Sequence, residues 1–271
     1  MQMNLIKQIE QNDIQDENIH IYFLGQSGYV IKTKDTIMYI DPYLSDYVEN
    51  SNGLNDKTMY RNFPPPISPN KIQKLDAILC THSHVDHMDP WTISKITTDF
   101  ILYSSLGAYE KSPVEVSSDK INFLEPGKIT MINEFKIEPI AAAHYDLQDE
   151  FGRPDCLSFI ISCYDKTLLF WGDGILYEGL AEKLKQYKFD YFFAPINGRN
   201  SAREAKGIIG NINAKELAEL CKELEIRTLV PNHYDMFKNN SESVAYFMQC
   251  IKESCPTQEM TILSCGNLIK A

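Results

Sequence analysis

The stretch CTHSHVDHMDP, residues 80–90, concentrates side chains that can bind metal ions: it holds three of the chain's six histidines and two aspartates. In an extended or turning segment, His82 and His84 point to the same side and can bind one ion through imidazole nitrogens. Asp86 and His87 are adjacent, so their side chains diverge and can serve a second ion. Imidazole and carboxylate without thiolate suit zinc, manganese or iron rather than a structural zinc knuckle. The segment therefore predicts a metal site.

Two ions need more ligands than this segment supplies, so residues elsewhere must complete the site. His144 follows the apolar run IEPIAAA, Asp173 lies in LLFWGDG, and His233 follows RTLVPN. Each comes directly after a predicted strand, and side chains at strand ends can gather at one edge of a sheet. His20 lies inside NIHIYF and is predicted to be structural.

The elements that position these residues begin as hairpin strands and later alternate between strand and helix. The predicted strands are 19–25, 29–33, 36–40, 74–80, 99–103, 128–132, 135–142, 156–164, 167–172, 190–195, 227–231 and 260–264. The predicted helices are 89–96, 176–187, 213–224 and 241–253. Asp89 and Pro90 suit the cap and first turn of one helix, and Asn213 and Glu216 have capping-box spacing in another. Residues 42–70 are polar and proline-rich and predict a long loop, suited to a lid or an oligomer contact.

This order of elements predicts stacked sheets with helices packed outside them. The chain has no Gly/Ser-rich linker, so residues 1–271 are expected to form a single domain. Hydrophobic residues make up 44% and charged residues 23%, which is ordinary for a soluble globular enzyme. Seven cysteines, an odd number without CxxC spacing, are typical of reduced thiols.

Charge and hydropathy exclude several classes of partner. The net charge of −11, with no run of Lys and Arg, argues against nucleic-acid binding. The first 20 residues lack a continuous apolar segment, and no stretch approaches the roughly 18 apolar residues of a membrane span. We therefore expect a cytoplasmic protein that contacts neither membrane nor nucleic acid.

Although the net charge is negative, a few local arginines could still bind a small anionic substrate. Arg153, Arg199 and Arg203 lie in loop-like stretches, where a planar guanidinium could clamp a phosphate. Salt bridges within the loops would account for them equally well. Asn197 and Tyr145, which follows a candidate ligand, are further candidates to bind substrate, and packing or turn roles fit them as well.

These residues resemble the motifs of the metallo-β-lactamase superfamily, piecewise along most of the chain. The matching motifs are Asp41 in YIDPYLSD, then THSHVDH, then the three strand-terminal residues downstream. The resemblance implies a four-layer αββα sandwich with the site at one edge, and Asp41 supporting the ligand histidines. It implies this ligand assignment: His82, His84 and His144 for the first ion, Asp86, His87 and His233 for the second, and Asp173 as the bridge.

Two longer stretches resemble L-ascorbate-6-phosphate lactonase and its relatives. They are LGQSGYVIKT with TIMYIDPYLSD, and INGRNSAREAKGIIGNINAKELAELCKELEIRTLVPNHYDMF. This resemblance implies two divalent ions per chain, favours Mn²⁺ although the ligands fit Zn²⁺ equally, and suggests a homo-oligomer. It also implies hydrolysis of a small lactone or ester, including phosphorylated ones, by water whose pKa falls from about 15.7 towards 7. Asp86 or Asp173 would orient that water and collect its proton.

Two other functions remain open at this point. A phosphodiesterase could use the same pair of ions to activate water for attack on phosphorus. A binding protein could retain the fold and have lost catalysis, although the full set of predicted ligands argues against this.

Overall fold

The structure, a computed structural model, describes residues 2–15, 17–51, 57–144, 146–205, 207–208 and 210–271. Numbered in chain order, its strands are β1 His20–Gly25, β2 Gly28–Lys32, β3 Ile37–Ile40, β4 Ala77–Leu79, β5 Ile101–Ser104, β6 Ile121–Phe123, β7 Thr130–Ile132, β8 Phe135–Ala142, β9 Cys156–Cys163, β10 Lys166–Phe170, β11 Lys188–Pro195, β12 Glu225–Asn232, β13 Glu259–Met260 and β14 Leu268–Lys270. Its helices are α1 Gln2–Gln11, α2 Tyr47–Ser51, α3 Pro90–Lys95, α4 Leu106–Lys111, α5 Leu180–Leu184, α6 Ser201–Glu204, α7 Ala214–Cys221 and α8 Val244–Ser254.

The strands form two mixed sheets of seven strands each. The first sheet has the order β14-β1-β2-β3-β4-β5-β6, and the second has the order β13-β12-β11-β10-β9-β8-β7. In the first sheet β3, β4, β5 and β6 run parallel, as do β10, β11, β12 and β13 in the second. The remaining neighbours in both sheets are antiparallel. The predicted stacking of two sheets is confirmed.

The sheets face each other across an aromatic core. Tyr29 of β2 packs against Phe170 of β10 and Phe193 of β11, with ring centroids 5.2 and 4.8 Å away. The strands β1, β2 and β3 are buried at every position, and apart from His20 and Lys32 at their outer ends they contain mostly apolar residues. Such runs are typical of strands covered on both faces.

Helices cover the outer face of each sheet. Ile9 of α1 and Ile93 of α3 are buried against the first sheet, and Leu217 of α7 and Phe247 of α8 against the second. The predicted αββα sandwich is therefore confirmed. None of the helices in the described residues combines the length and the apolar character that crossing a membrane demands.

Two predicted helix starts are confirmed in atomic detail. Asp89 caps α3 and accepts a hydrogen bond from the backbone N–H of Trp91. Asn213 and Glu216 form the predicted capping box at the start of α7. Because the Asp89 carboxylate is occupied here, its interpretation as a cap rather than a ligand is consistent with the structure.

Several predicted boundaries are wrong. The helix expected at 176–187 is limited to α5, because Gly179 before it adopts a left-handed conformation with φ of 87°. The strand expected at 260–264 shares only Met260 with β13, and the sequence did not predict α1, α4, β6, β14 or α6, which contains Arg203 where a loop was expected. These elements are short or lie near the chain ends, so too few residues are present to show a clear hydrophobic periodicity.

The segment 42–70 is more regular than the predicted loop. It contains α2 and two 3₁₀ helices, Lys57–Met59 and Pro69–Lys71, and residues 52–56 lie outside the described residues. The buried Arg61 guanidinium donates to the backbone carbonyls of Tyr43, Ser45 and Phe63 at 3.0 to 3.1 Å. These bonds connect parts of the segment to one another, and its role as a lid or an oligomer contact stays a prediction.

The two sheets meet at the edge where their parallel strands end. The backbone N–H of Leu157 in β9 donates to the carbonyl of Thr81, just past β4, at 2.8 Å. A Cβ at Gly172, just past β10, would lie 2.1 Å from the Leu157 carbonyl oxygen and 3.0 Å from Thr81 Cβ. Only glycine fits at this contact, which brings the ends of β4 and β10 together.

Candidate metal centre

The seven predicted ligands lie together at this edge. The cluster segment follows β4, and His144, Asp173 and His233 follow β8, β10 and β12, as expected from their strand-terminal positions. Their side chains form three groups whose possible ligand atoms lie within 4.8 Å of one another: His82, His84 and His144; His82, His87 and Asp173; and Asp86, His87 and His233. We call these seven residues the metal cluster. His20 lies within β1 and belongs to none of the three groups.

The first group consists of three imidazoles around one point. The ring centroids lie 4.7 Å apart for His82 and His84, 5.1 Å for His82 and His144, and 4.8 Å for His84 and His144. His144 Nε2 lies 3.2 Å from His84 Nδ1. Three nitrogen donors at this spacing suit one ion.

The second group combines one carboxylate with two imidazoles. Asp86 Oδ2 lies 3.7 Å from both His87 Nε2 and His233 Nε2. Asp173 presents its two oxygens to the same imidazoles, with Oδ1 3.5 Å from His87 Nε2 and Oδ2 3.2 Å from His233 Nε2. Because Asp173 also groups with His82, it lies between the two sets of ligands.

Asp41 and Thr81 orient two of the histidines. His87 Nδ1 lies 2.7 Å from Asp41 Oδ2, and Asp41 accepts from the Thr81 backbone N–H and hydroxyl at 2.7 and 2.6 Å. The Thr81 hydroxyl can therefore accept from His82 Nδ1, 3.0 Å away. With the Nδ1 atoms of both rings bonded in this way, it is the Nε2 atoms of His82 and His87 that face the cluster. Asp41 contacts His87 as expected of a residue that supports a ligand.

The histidines differ in their electrostatics. Burial lowers the pKa of His82 well below its ordinary value and that of His144 to about 4, so both imidazoles are neutral and able to bind metal. Burial also opposes protonation of His87, but Asp173, Asp86 and Asp41 raise its pKa well above its ordinary value. Although burial favours protonated Asp173, His233 and His87 hold the pKa of its carboxyl well below its ordinary value.

These features fit a pair of divalent ions. His82 Nε2, His87 Nε2 and Asp173 Oδ1 are buried without a hydrogen-bond partner, although buried polar atoms normally have one. The site also gathers the carboxylates of Asp41, Asp86 and Asp173, and buried charges need compensation. Cations held between the three groups would meet both needs.

Comparison with known families agrees with this architecture. The model of the beta-lactamase superfamily domain matches residues 20–233, which span β1 to the last member of the metal cluster. The chain belongs to this superfamily. One relative is the UPF0173 metal-dependent hydrolase of Caldivirga maquilingensis, which is 23% identical over an alignment of 256 residues that covers 92% of this chain and 97% of the relative.

Solved structures of the metallo-β-lactamase fold superpose on nearly the whole chain. A possible metal-dependent hydrolase from Veillonella parvula has a TM-score of 0.70 at 15% identity, covering 92% of this chain and 98% of the other. An isothiocyanate hydrolase from Delia radicum gut bacteria has a TM-score of 0.69 at 16% identity, with the same coverage. At such identities the likeness concerns the fold alone.

The predicted substrate residues Asn197 and Arg199 lie in a bonded network of the superfamily domain. The Asn197 amide donates to Asn240 Oδ1 at 2.8 Å and accepts from Asn211 Nδ2 at 2.9 Å. Arg199 binds both carboxylate oxygens of Glu216 at 2.7 and 2.5 Å and the Asn211 carbonyl at 3.1 Å. We call the following residues the asparagine–arginine network: Asn197, Arg199, Arg203, Asn211 and Glu216.

Arg203 completes the asparagine–arginine network. It donates to the backbone carbonyls of Asn197 and Ser241. These contacts support a structural role for both arginines, and their binding of substrate stays a prediction.

Arg153 lies nearer the metal cluster. It lines a cavity of about 540 Å³ that also includes His144 in its wall. Its guanidinium is paired with Asp149 and Glu110, each at 2.8 Å. A phosphate would have to compete with these carboxylates, so Arg153 stays a prediction as a substrate contact. Tyr145 lies outside the described residues.

Gln26, in the turn between β1 and β2, was not among the predicted site residues. Its side-chain Nε2 lies 2.8 Å from Asp86 Oδ2 and 3.0 Å from His233 Nε2. The strand-end rule that selected the predicted ligands would have found it, because Gln26 follows Gly25, the last residue of β1. Amides are less common metal ligands than histidines and carboxylates, so the residue type gave no signal for a metal site.

Proposed function

We propose that the protein is a metal-dependent hydrolase that opens a small lactone or ester at a site for two divalent ions. The position of Asp173 carries this proposal, because its carboxylate lies between the His82 side of the metal cluster and the His87–His233 side. A pair of bound ions would supply Lewis acidity and a water acidic enough to act as nucleophile at neutral pH. His82, His84 and His144 would hold one ion, and Asp86, His87 and His233 the other.

The two aspartates of the proposed site differ in access. The Asp173 side chain is 5% exposed and fixed between His87 and His233, whereas that of Asp86 is 16% exposed. We assign to Asp173 the role of orienting the attacking water. Asp86 is the better candidate to accept its proton and return it to the leaving alkoxide, because water and product can reach its carboxylate.

The cavity beside His144 supports a small substrate without a phosphate group. Its volume of about 540 Å³ is within the usual range for small-molecule sites. Its lining carries more carboxylates than basic groups: Glu110, Asp146, Asp149, Glu150 and Asp155 against Lys111 and Arg153. An anionic substrate would be repelled, so we rank a neutral lactone or ester ahead of a phosphorylated one.

A substrate panel with defined metal content tests the proposal. The purified protein is stripped, reloaded with Mn²⁺ or Zn²⁺, and assayed with sugar lactones, simple esters, their phosphorylated forms and bis-p-nitrophenyl phosphate. We expect two ions per chain and fastest turnover with neutral lactones or esters. Turnover of the phosphodiester alone would replace the proposal by a phosphodiesterase, and fewer than one ion per chain would contradict it.

A variant separates catalysis from contamination. His84→Ala removes one imidazole of the first group, so hydrolysis should fall at least a hundredfold, since loss of even a residue that supports a metal ligand costs 10- to 100-fold. His20→Ala, a change outside the metal cluster, is the matched control. Equal loss in both variants, or unchanged turnover in His84→Ala, would contradict the assignment.

A further inference from the structure

The side chain of Gln26 reaches the predicted ligands of the second ion. The residue is fully buried, and its Nε2 lies 2.8 Å from Asp86 Oδ2 and 3.0 and 3.3 Å from the two ring nitrogens of His233. The end of the amide therefore lies among atoms assigned to metal binding.

The backbone of Gln26 holds this position at a cost. Its φ of 56° is in the left-handed region, which is unfavourable for a residue other than glycine. Its N–H donates to Asp235 Oδ1 at 3.0 Å, and its carbonyl accepts from the His233 N–H at 2.8 Å. Gln26 and His233, which also has a positive φ of 59°, are thus bonded to each other through their backbones.

The two ends of the amide have opposite affinities for a cation. The Nε2 end faces Asp86 and His233, whereas Oε1 is buried without a hydrogen-bond partner. Nitrogen and oxygen ends have the same shape, so rotating the amide exchanges them without moving other atoms. A cation among the ligands would select the oxygen, because an amide nitrogen has no lone pair to offer it.

The spacing fits a shared coordination sphere. Two ligand atoms at right angles, about 2.1 Å from one ion, lie roughly 3 Å apart. The end of the Gln26 side chain lies 2.8 and 3.0 Å from Asp86 Oδ2 and His233 Nε2. An amide oxygen is a hard donor, and adding it to a carboxylate and two imidazoles favours Mn²⁺ relative to Zn²⁺.

We propose that Gln26 is a further ligand of the ion held by Asp86, His87 and His233, through its amide oxygen, and that it biases this position towards Mn²⁺. The inference rests on the proposed function, because it requires an ion at this position. It does not depend on which substrate the enzyme takes.

Metal binding by the metal-free full-length chain tests the inference without any assay of activity. Mn²⁺ is titrated into wild type, Gln26→Ala, Gln26→Gly and Gln26→Glu, and free Mn²⁺ is followed by electron paramagnetic resonance. Gln26→Gly also relieves the positive φ, so a loss of binding in it cannot be attributed to backbone strain. Ser27→Ala is the matched control, because Ser27 is a buried neighbour whose hydroxyl has no hydrogen-bond partner.

We expect wild type and Ser27→Ala to bind two Mn²⁺ ions. Gln26→Ala and Gln26→Gly should bind one of the two at least about tenfold more weakly, and Gln26→Glu, which keeps an oxygen ligand, should restore the affinity. In competition with Zn²⁺, the Ala and Gly variants should lose their relative preference for Mn²⁺ at the weakened position.

Other results would overturn the inference. Two Mn²⁺ ions bound at wild-type affinity by Gln26→Gly would show that the amide is no ligand and would leave the proposed function intact. Weak binding in Gln26→Glu, equal to that of Gln26→Ala, would show that Gln26 only donates to Asp86. Fewer than one ion in wild type would instead overturn the proposed function, and the inference with it.

Discussion

The metal cluster and the asparagine–arginine network are both rich in polar side chains, but they satisfy their hydrogen bonds differently. In the metal cluster, His82 Nε2 and His87 Nε2 are buried and have no hydrogen-bond partner. In the network, the Asn197 amide is bonded at both ends, and Arg199 binds a carboxylate and a carbonyl. Buried polar groups that converge without partners indicate a site for a ligand, whereas groups that bond one another indicate support of the fold.

The two regions should therefore respond to mutation in opposite ways. Ligands are arranged for an external partner, so their loss should reduce activity and metal binding and should lower stability only through the loss of bound metal. Network residues bond within the protein, so their loss should reduce the free energy of unfolding and leave turnover nearly unchanged. Four experiments test this contrast.

The largest effect is expected for Asp173→Ala, which removes the carboxylate between the two ligand sets. Hydrolysis should fall more than about a hundredfold, the upper end of the loss expected for a residue that only supports a ligand. Turnover and bound metal per chain are measured together. Asp165→Ala, whose side chain is 78% exposed, is the control. Similar losses of turnover and bound metal in both variants would show that the metal cluster is no more sensitive to mutation than the rest of the protein.

Removing the ions should lower thermal stability. An ion present at 100 times its dissociation constant stabilises the folded state by about 2.7 kcal/mol. The protein treated with a chelator should therefore melt at a lower temperature, and adding Mn²⁺ or Zn²⁺ should reverse the change. Calorimetry measures both transitions. Identical melting temperatures with and without chelator would contradict metal binding by the cluster.

Asp41→Asn should weaken metal binding about 10- to 100-fold, because Asp41 orients His87 through Nδ1 at 2.7 Å. Isothermal titration with Zn²⁺ gives the affinity. The control is Asp76→Asn, since Asp76 accepts from the backbone of Ile37 at the other end of β3. If Asp76→Asn weakened metal binding as much, the loss in Asp41→Asn would reflect lower stability of the fold and not the orientation of His87.

The smallest effect is expected for Arg199→Met in the network. It breaks the bonds to Glu216 and Asn211, and the free energy of unfolding should fall by about 1–2 kcal/mol. We expect kcat/KM to stay within about twofold of wild type, since the structure accounts for the guanidinium without substrate. Denaturant unfolding and kinetics are compared with Arg227→Met, at an exposed arginine. A large rise in KM without loss of stability would restore Arg199 as a substrate contact.

The sequence predicted the metal cluster better than the substrate contacts for a physical reason. His144, Asp173 and His233 each follow a strand, and strand ends are visible as the last residue of an apolar run. Their convergence then follows because β8, β10 and β12 run in the same direction, since β8 and β10 are both antiparallel to β9, and β10 and β12 are both parallel to β11. The same strand-end rule also selects Gln26, but an amide side chain is a weaker signal for a metal ligand than a histidine or a carboxylate.

The strand-end rule could not predict which residues pair with the arginines. Arg199 pairs with Glu216 across 17 positions, and Arg153 pairs with Glu110 across an even longer separation. Such contacts depend on how loops pack, and loops carry no period that fixes their path. The meeting of Leu157, Thr81 and Gly172 is also a contact between two sheets, which the apolar pattern of one strand does not reveal.

The close approach at Gly172 bears on how such a site could be transplanted. Backbone atoms there are in contact, since a single added carbon would lie 2.1 Å from the Leu157 carbonyl oxygen. The Leu157 N–H is also bonded to the Thr81 carbonyl, so the main chain of Leu157 lies between Gly172, next to Asp173, and Thr81, next to His82, and largely sets their spacing. A designer who copied the seven ligands onto another pair of sheets would also have to copy this contact, because side-chain repacking alone cannot reproduce that spacing.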